Sequence, residues 1–211
     1  MVPQMYSMFD LKLQDKGIFY FENVISYEKE FLEILNKLDE IPESYIRIPK
    51  WDSWYASNDN SYHYGDRKLI VKDRLNLSTG SDILDKNTLY IMNSIYMAPE
   101  MCALKYCEIT GTNKEEINLD LSHITLKKYY TGQGMGPHYD GQDGDSYLKF
   151  SLVTYINDDY EGGELVFPNH GVTIKPKAGS LVMFPSQEPY IHQAMPIKSG
   201  YKYIYNTHWI L

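Results

Sequence analysis

The stretch YLKFSLVTYINDDYEGGELVFPNHGVTIKPKAGSLVMFP, residues 147–185, decides the fold. Short runs rich in Val, Ile, Leu, Thr, Tyr and Phe alternate in it with turn-forming residues, such as Gly162-Gly163 and Pro168-Asn169. Runs of the same kind lie on both sides of it. The strands predicted in this way are Ser122–Tyr130, Tyr147–Ile156, Glu164–Phe167, Val172–Ile174, Ser180–Phe184, Tyr190–Ala194 and Lys202–Leu211. Many short strands at close spacing are typical of a two-sheet sandwich or a jelly roll.

Two helical patterns precede these strands. Ser26 is a suitable N-cap, and the apolar residues after it recur at helical spacing, which predicts an amphipathic helix that ends before Pro42. Those apolar residues are Tyr27, Phe31, Ile34, Leu35 and Leu38. A second helix is predicted over 86–107, with an interruption at Pro99. Because the helices come first, we expect a mainly β fold whose α-helices buttress one face of the sheet.

The composition of the chain is that of a single globular domain. It has 211 residues and a net charge of −8, so a nucleic-acid backbone is not an expected partner. No apolar run is long enough to span a membrane, and Met1 to Lys12 lacks the pattern of a signal peptide. Cys102 and Cys107 lie on the second predicted helix, where we expect reduced thiols rather than a disulfide. These features predict a cytoplasmic protein without a membrane partner.

Histidine and aspartate residues form the most informative pattern in the chain. His138 and Asp140 are separated by one residue, so on an extended strand both would point to the same face. His192, 54 residues after His138, supplies a second imidazole. Two histidines and one carboxylate are the ligand set expected for non-haem Fe(II) with open positions for substrate and oxygen. Lys202, 10 residues further on, is a fixed cation that suits a cosubstrate bearing a carboxylate.

The remaining histidines are interpreted as structural or surface groups, and His170 is the alternative third ligand among them. The residue 10 positions beyond His170 is Ser180, which cannot supply a cation for the cosubstrate, so His192 is preferred. The other two are His63 and His123.

The C-terminal part of the chain resembles the 2-oxoglutarate/Fe(II)-dependent dioxygenases and, within them, the prolyl 4-hydroxylases. The motifs that carry the resemblance, over about 126–211, are Tyr129-Tyr130-Thr131-Gly132, Pro137-His138-Tyr139-Asp140, Gly162-Gly163-Glu164-Leu165-Val166-Phe167-Pro168, Pro176-Lys177-Ala178-Gly179-Ser180-Leu181 and the stretch from His192 to Lys202. The resemblance implies a double-stranded β-helix that binds Fe(II) through His138, Asp140 and His192. It also implies 2-oxoglutarate and O2 as cosubstrates and ascorbate as a reductant, with Lys202 on the distal carboxylate of 2-oxoglutarate.

The activity that the resemblance implies is hydroxylation of a prolyl residue in a peptide or protein. In the family, this reaction is coupled to the oxidative decarboxylation of 2-oxoglutarate to succinate and CO2. Two alternatives stay open: the same chemistry on a free amino acid or small metabolite, and a metal-binding jelly-roll module without catalysis. Lys202 and Tyr129 disfavour the non-catalytic module, since a simple metal site needs no clamp for a carboxylate.

The resemblance also assigns residues around the metal and 2-oxoglutarate. In the family, a tyrosine nine positions before the first histidine ligand usually binds the 2-oxoglutarate carboxylate, and Tyr129 holds that position. Tyr130 ranks second because it would face the other way on a regular strand, and Ser151 is a further cofactor-binding candidate. Many prolyl 4-hydroxylases have a tryptophan near the metal six residues after the lysine. Here His208 holds that position and Trp209 follows, so either the strand contains a bulge or the histidine substitutes.

An aromatic segment at 45–64 precedes the predicted strands. It is poor in aliphatic residues and rich in Asn, Ser and Gly, which predicts a loop. In prolyl hydroxylases a mobile segment before the barrel folds over the peptide, and the alternative is that these aromatics pack beneath a long loop. The predicted organisation is a single domain, with helical support and a substrate-covering loop in 1–120 and the catalytic jelly-roll core in 121–211. The candidate substrate contacts are Trp51, Trp54, Tyr62 and Tyr64.

Overall fold

The computed structural model describes residues 10–26, 28–33, 67–70, 86–120, 125–141 and 147–211. Within these ranges residues 28–33 are helical, and the long helix α1 spans Lys86–Thr110. Short 3-10 turns lie at Lys114–Glu116 and Pro168–His170. The described strands are β1 Asp10–Asp15, β2 Ile18–Glu22, β3 Arg67–Ile70, β4 Thr125–Tyr129, β5 Met135–His138, β6 Leu148–Tyr155, β7 Glu161–Gly162, β8 Leu165–Phe167, β9 Val172–Ile174, β10 Ser180–Pro185, β11 His192–Ala194, β12 Ile197–Ser199 and β13 Lys202–Ile210.

The described strands form two main sheets. The larger sheet has the order β1-β2-β10-β6-β13-β4-β3, and the smaller has the order β5-β11-β8-β9. Strands β12 and β7 form a separate ladder. Neighbouring strands are antiparallel throughout. The predicted mainly β fold of jelly-roll type is confirmed.

Alternation of side chains along the strands divides the hydrophobic core in two. The inner core lies between the two main sheets and draws on β4, β8, β9, β10 and β13. The outer core lies between the larger sheet and α1. On β13, Ile204 belongs to the inner core, whereas its neighbours Tyr203 and Tyr205 belong to the outer core. Every second residue from Lys202 to His208 therefore faces the inner side, where the candidate site lies.

The helix α1 buttresses the larger sheet as the sequence predicts, but it does so without a break. It runs through Pro99, so the predicted interruption at this residue is wrong. Proline removes one backbone hydrogen bond from a helix, and the residues around it, Ala98, Cys102 and Ala103, are fully buried in the outer core. Packing against the sheet outweighs the lost bond. Cys102 and Cys107 lie on this helix as predicted, and both are buried and unbridged.

The predicted strands agree with the described ones apart from their ends. The chief difference is at Tyr190–Ala194, where the strand begins only at His192. For the helix predicted after Ser26, residues 28–33 are helical and the rest of the pattern lies outside the described residues. Neither helical segment that the structure describes combines the length and the apolar character needed to cross a membrane.

Candidate active site

Two strands of the smaller sheet bring the histidines together. β5 ends at His138, and β11 begins at His192, directly opposite it in the antiparallel register. The sequence prediction places His138 and Asp140 on one extended strand. In the structure, Asp140 lies in the turn that follows β5. The Oδ1 atom of Asp140 is 3.3 Å from Nε2 of His138, and its Oδ2 atom is 3.9 Å from Nε2 of His192. One donor atom from each residue lies within 4.8 Å of the other two, a spacing that suits a single metal ion.

Backbone carbonyl groups set the orientation of both imidazole rings. The Nδ1 atom of His138 is 2.8 Å from the carbonyl oxygen of Gly136, and that of His192 is 3.2 Å from the carbonyl oxygen of Tyr190. A carbonyl oxygen can only accept a hydrogen bond, so Nδ1 of each ring carries the proton. In the neutral form of each ring, Nε2 then carries the lone pair and faces the carboxylate of Asp140, which is the arrangement of a metal-ligating histidine.

The protonation states of the cluster suit a divalent cation. Burial lowers the pKa of His192 to about 4, despite the opposing charge of Asp140. Burial on its own would raise the pKa of Asp140, but the imidazoles of His192, His138 and His208 together hold that pKa well below its usual range. At neutral pH His192 is therefore a neutral imidazole and Asp140 an ionised carboxylate, which are the forms that bind a metal. The residues present fit Fe(II).

The Oδ2 atom of Asp140 is supported by residues behind it. The hydroxyl group of Ser151 donates a hydrogen bond to Oδ2, and the Ser151 oxygen is 2.8 Å from that of Ser186. The Nε2 atom of His208 lies 3.7 Å from the same carboxylate oxygen. Ser151 and His208 face each other across β6 and β13. The structure thus places Ser151 beside the aspartate of the cluster.

The two residues near the end of β13, His208 and Trp209, point to opposite sides of the sheet. The pairing of β13 with β6 is regular up to Trp209, so there is no bulge before His208. The Trp209 ring is fully buried in the outer core, where its Nε1 atom donates to the carbonyl oxygen of Glu116 at 2.8 Å. Of the two, His208 is therefore the residue that lies beside Asp140, and Trp209 is a core residue.

A buried ammonium group lies on the inner side, at the start of β13. Lys202 is only 1% exposed, and its Nζ atom donates to the carbonyl oxygen of Gly163 at 3.3 Å. The same atom is 4.7 Å from the centroid of the Tyr129 ring, because Lys202 and Tyr129 are direct partners in the register of β13 and β4. Burial lowers the pKa of Lys202 to about 7, although the charge of Glu164 opposes the shift. A cation in such a pocket is suited to bind an anionic group.

Glycine is required at position 163 for this pocket to form. The backbone there has φ +68°, which favours glycine. A Cβ atom at this position would lie 2.6 Å from the Ile197 side chain and 2.9 Å from the Tyr160 ring. The Gly163 carbonyl could not then approach Lys202 without a rearrangement of both neighbours. This requirement accounts for one glycine of the Gly162-Gly163 motif in the sequence.

Tyr129 and Tyr130 lie on opposite sides of the larger sheet. Tyr129 is 1% exposed and belongs to the inner core, next to Lys202. Tyr130 packs edge-on against Tyr201, with ring centroids 5.3 Å apart, and the Nζ atom of Lys128 is 5.4 Å from its ring. The structure therefore brings Tyr129, but not Tyr130, to the buried ammonium group.

The alternative ligand and the aromatic segment are not part of the described site. His170 ends a 3-10 turn, and its ring stacks on Tyr190 with centroids 4.5 Å apart. Among the residues that the structure describes, the cluster contains His192 rather than His170. The predicted residues that lie outside the described ranges are Trp51, Trp54, Tyr62, Tyr64, His63 and His123.

Three residues near the site carry no signal that sequence analysis singles out. Ser186 supports Ser151, and Glu164 opposes the low pKa of Lys202. Lys127 lies on β4 opposite Ile204 of β13, and it therefore faces the inner side of the larger sheet. Glu164 lies inside a motif quoted above, but its role depends on charge proximity, which sequence spacing does not show.

Comparison with known proteins agrees with this geometry. Residues 124–211 match the model of the 2OG-Fe(II) oxygenase superfamily. A PKHD-type hydroxylase of Maricaulis maris is 37% identical over 87 residues, and the match covers 38% of this chain and 38% of the length of that protein. A PKHD-type hydroxylase of Prochlorococcus marinus is 24% identical over 190 residues, which cover 88% of this chain and 75% of the relative.

A solved structure shows the same fold. It is a prolyl hydroxylase of Trichoplax adhaerens in complex with a hypoxia inducible factor oxygen degradation domain peptide fragment. It is 16% identical, covers 93% of this chain and 84% of its own, and has a TM-score of 0.64. The family match implies Fe(II), 2-oxoglutarate and O2 as the metal and cosubstrates, in agreement with the cluster of two histidines and one aspartate. The predicted resemblance is confirmed by the match of residues 124–211 to the 2OG-Fe(II) oxygenase superfamily.

Proposed function

We propose that the chain is an Fe(II)/2-oxoglutarate-dependent dioxygenase that hydroxylates a prolyl residue in a peptide or protein. The observation that carries the proposal is the pairing of two features on one inner surface. One is the cluster of His138, Asp140 and His192, and the other is the buried ammonium group of Lys202. A metal site alone would not require a buried cation on the same inner surface, whereas a metal-chelating 2-oxo dicarboxylate would use both. We take residues 1–211 as one domain with this activity.

The residues of the chain have distinct tasks in this proposal. His138, Asp140 and His192 would hold Fe(II), and Lys202 would bind the distal carboxylate of 2-oxoglutarate with Tyr129 beside it. When bound, Fe(II) supplies the oxygen activation that converts 2-oxoglutarate to succinate and CO2 and oxidises a C–H bond of the substrate. The protein orients these groups through fixed imidazole rings and a supported carboxylate. Its inner core keeps bulk water from the cosubstrate pocket.

The proposed substrate is a prolyl residue of a peptide or protein. Support comes from two relatives that are PKHD-type hydroxylases and from a structural neighbour that is a prolyl hydroxylase bound to a peptide fragment. Succinate release should be measured with Fe(II), 2-oxoglutarate and O2, with and without a panel of proline-containing peptides. We expect a peptide to increase succinate release and to gain one oxygen atom by mass spectrometry. If only free proline or another small metabolite has this effect, the substrate is not a polypeptide.

The aromatic segment is proposed to be a lid over such a substrate. Replacing Trp54 and Tyr62 together by alanine should impair hydroxylation of the peptide and spare the slow conversion of 2-oxoglutarate in its absence. The reason is that the metal cluster and Lys202 lie elsewhere in the chain. Both rates and the melting temperature should be measured. A mutant that hydroxylates peptide at the wild-type rate would rule out the lid. A large loss of stability would instead indicate core packing, because truncation of a buried aromatic costs about 3–5 kcal/mol.

The support of Asp140 by His208 gives a second prediction. Replacing His208 by alanine should weaken Fe(II) binding by about 10- to 100-fold, the range for residues that orient metal ligands. Its neighbour Trp209 provides the matched control, because it faces the outer core. Trp209→Phe should lower the melting temperature and leave the affinity for iron unchanged. Anaerobic calorimetric titration with Fe(II) measures the iron affinity of the two variants, and thermal unfolding measures their melting temperatures. Wild-type iron affinity in His208→Ala would show that His208 does not hold the carboxylate.

A further inference from the structure

A second lysine faces the inner side of the larger sheet. Lys127 lies directly opposite Ile204 in the pairing of β4 with β13, and paired residues share a face of the sheet. Ile204 and Tyr129, which is two residues further along β4, both belong to the inner core. Lys127 is half-buried on this side, whereas its neighbour Lys128 lies over the rings of Tyr130, Tyr201 and Tyr203 on the other.

The position of Lys127 along the sheet lies between the two ends of the proposed site. On β13 the inner residues are, in order, Lys202, Ile204, Asn206 and His208. Lys202 lies at the end of the site proposed for the distal carboxylate. The Nε2 atom of His208 lies 3.7 Å from Oδ2 of Asp140, at the metal end of the site. Because Lys127 is level with Ile204, it lies beside the interval that 2-oxoglutarate must span. Burial is the main cause of the low pKa of Lys202, and the charge of Lys127 lowers that pKa further, as expected for a nearby cation.

A buried acceptor on the same face also indicates a polar ligand. Asn206 is the next inner residue after Ile204 and lies opposite Thr125. Its Oδ1 atom is buried, and no donor among the described residues reaches it. Buried polar atoms in folded proteins are almost always satisfied by a partner, including ordered water or a ligand. A polar molecule in this interval would supply that partner.

We propose that Lys127 is a second carboxylate-binding residue, which binds the carboxylate at the 2-oxo end of 2-oxoglutarate. This inference rests on the proposed function. Lys202 binds the other carboxylate. We assign this anion to 2-oxoglutarate because Lys127 lies level with Ile204, between Lys202 and His208 on the inner side.

Two 2-oxo acids separate the tasks of the lysines. 2-Oxovalerate keeps the 2-oxo carboxylate and lacks the distal one. Lys127→Met should weaken the binding of 2-oxoglutarate and of 2-oxovalerate by the same factor, about 10-fold, which corresponds to about 1.4 kcal/mol. Lys202→Met should weaken 2-oxoglutarate and leave 2-oxovalerate unchanged. Lys128→Met is the matched control and should change neither. The dissociation constants should be measured anaerobically by calorimetry on the Fe(II)-loaded protein, with Fe(II) affinity as a reference.

The outcomes distinguish this inference from the proposed function. If wild-type protein binds no 2-oxoglutarate, the proposed function fails. If wild-type binds it and Lys127→Met binds both acids normally, the inference about Lys127 is wrong. It is also wrong if Lys127→Met weakens 2-oxoglutarate alone, since Lys127 would then bind the distal carboxylate. Should Lys127→Met fail to fold, Lys127→Arg and Lys127→Gln replace it, and we expect only the arginine variant to retain the affinity.

Discussion

Replacing His192 by alanine is expected to abolish tight Fe(II) binding and all turnover of 2-oxoglutarate. The Nε2 atom of His192 is directed at Asp140 by the bond from Nδ1 to the Tyr190 carbonyl, and burial keeps the ring neutral. Among the described residues, His192 forms this cluster with His138 and Asp140. Removing one of three ligands should cost more than the roughly 100-fold loss seen for residues that only orient a ligand. His138→Ala and Asp140→Ala should behave in the same way.

The control for this experiment is His170→Phe. His170 is the alternative ligand in the sequence, and a phenylalanine keeps a ring stacked on Tyr190 while removing the imidazole nitrogens. Anaerobic calorimetry with Fe(II) should give wild-type affinity for His170→Phe and no measurable binding for His192→Ala. Normal iron binding by His192→Ala would mean that the third ligand is misassigned. Loss of iron binding in His170→Phe would then identify His170 as the third ligand.

Replacing Lys202 by methionine should weaken 2-oxoglutarate binding by about 10- to 150-fold. A charge-assisted hydrogen bond contributes about 1.5–3 kcal/mol, which converts to that range. Iron affinity should stay near the wild-type value, because Lys202 lies at the other end of the inner face. Tyr129→Phe should have a smaller effect in the same direction. An unchanged affinity for 2-oxoglutarate in Lys202→Met would remove the main support for a cosubstrate site.

The same variant should be more stable than the wild type in the absence of 2-oxoglutarate. Lys202 is 1% exposed, and a buried cation is costly unless an anion accompanies it. Methionine has a similar length and no charge. We expect a higher melting temperature, by about 2–4 °C for each kcal/mol gained in a domain of this size. A lower melting temperature would show that the ammonium group stabilises the free protein.

Because the pKa of Lys202 is low, the affinity for 2-oxoglutarate and the stability relative to Lys202→Met should both depend on pH. Its pKa is about 7 in the folded protein, against an ordinary value of 10.5. The 2-oxoglutarate dianion binds the protonated form, so its dissociation constant should rise about tenfold per pH unit above pH 7. Between pH 7 and 10.5 the unfolded state binds more protons than the folded state. The stability of the wild type relative to Lys202→Met should therefore increase as pH rises through this window. A pH-independent affinity would contradict the assignment.

The strand pattern of the C-terminal part was predictable because each of those strands has an ordinary composition. β5 was not, since Met135–His138 contains Gly136 and Pro137, which disfavour strands. It is tolerated at the edge of the smaller sheet, where a proline need not donate to a second neighbour. The hairpin of β1 and β2 was also missed. Its signal was the Lys16-Gly17 turn, in which both residues have positive φ, as the type I′ turn of a two-residue hairpin requires.

The candidate site shows where sequence spacing is sufficient and where it is not. His138, Asp140, His192 and Lys202 have the spacing of a known family, so the sequence alone was sufficient to name them as one candidate site. Lys127 and Lys128 are adjacent and chemically identical. Only the register of β4 with β13 shows that one faces the inner core and the other a cluster of tyrosines. The choice between His208 and Trp209 likewise depended on the absence of a bulge.

In the proposed function, the metal and 2-oxoglutarate share one site on this chain. The most direct test is the visible absorption spectrum of the protein under anaerobic conditions, as 2-oxoglutarate is added to the Fe(II)-loaded form. We predict a weak charge-transfer band that neither Fe(II) nor 2-oxoglutarate produces alone, that is absent in Asp140→Ala, and that needs a higher concentration of 2-oxoglutarate in Lys202→Met. If the wild-type protein binds both and no band develops, the metal and 2-oxoglutarate are not in contact, and the account given for this site is contradicted.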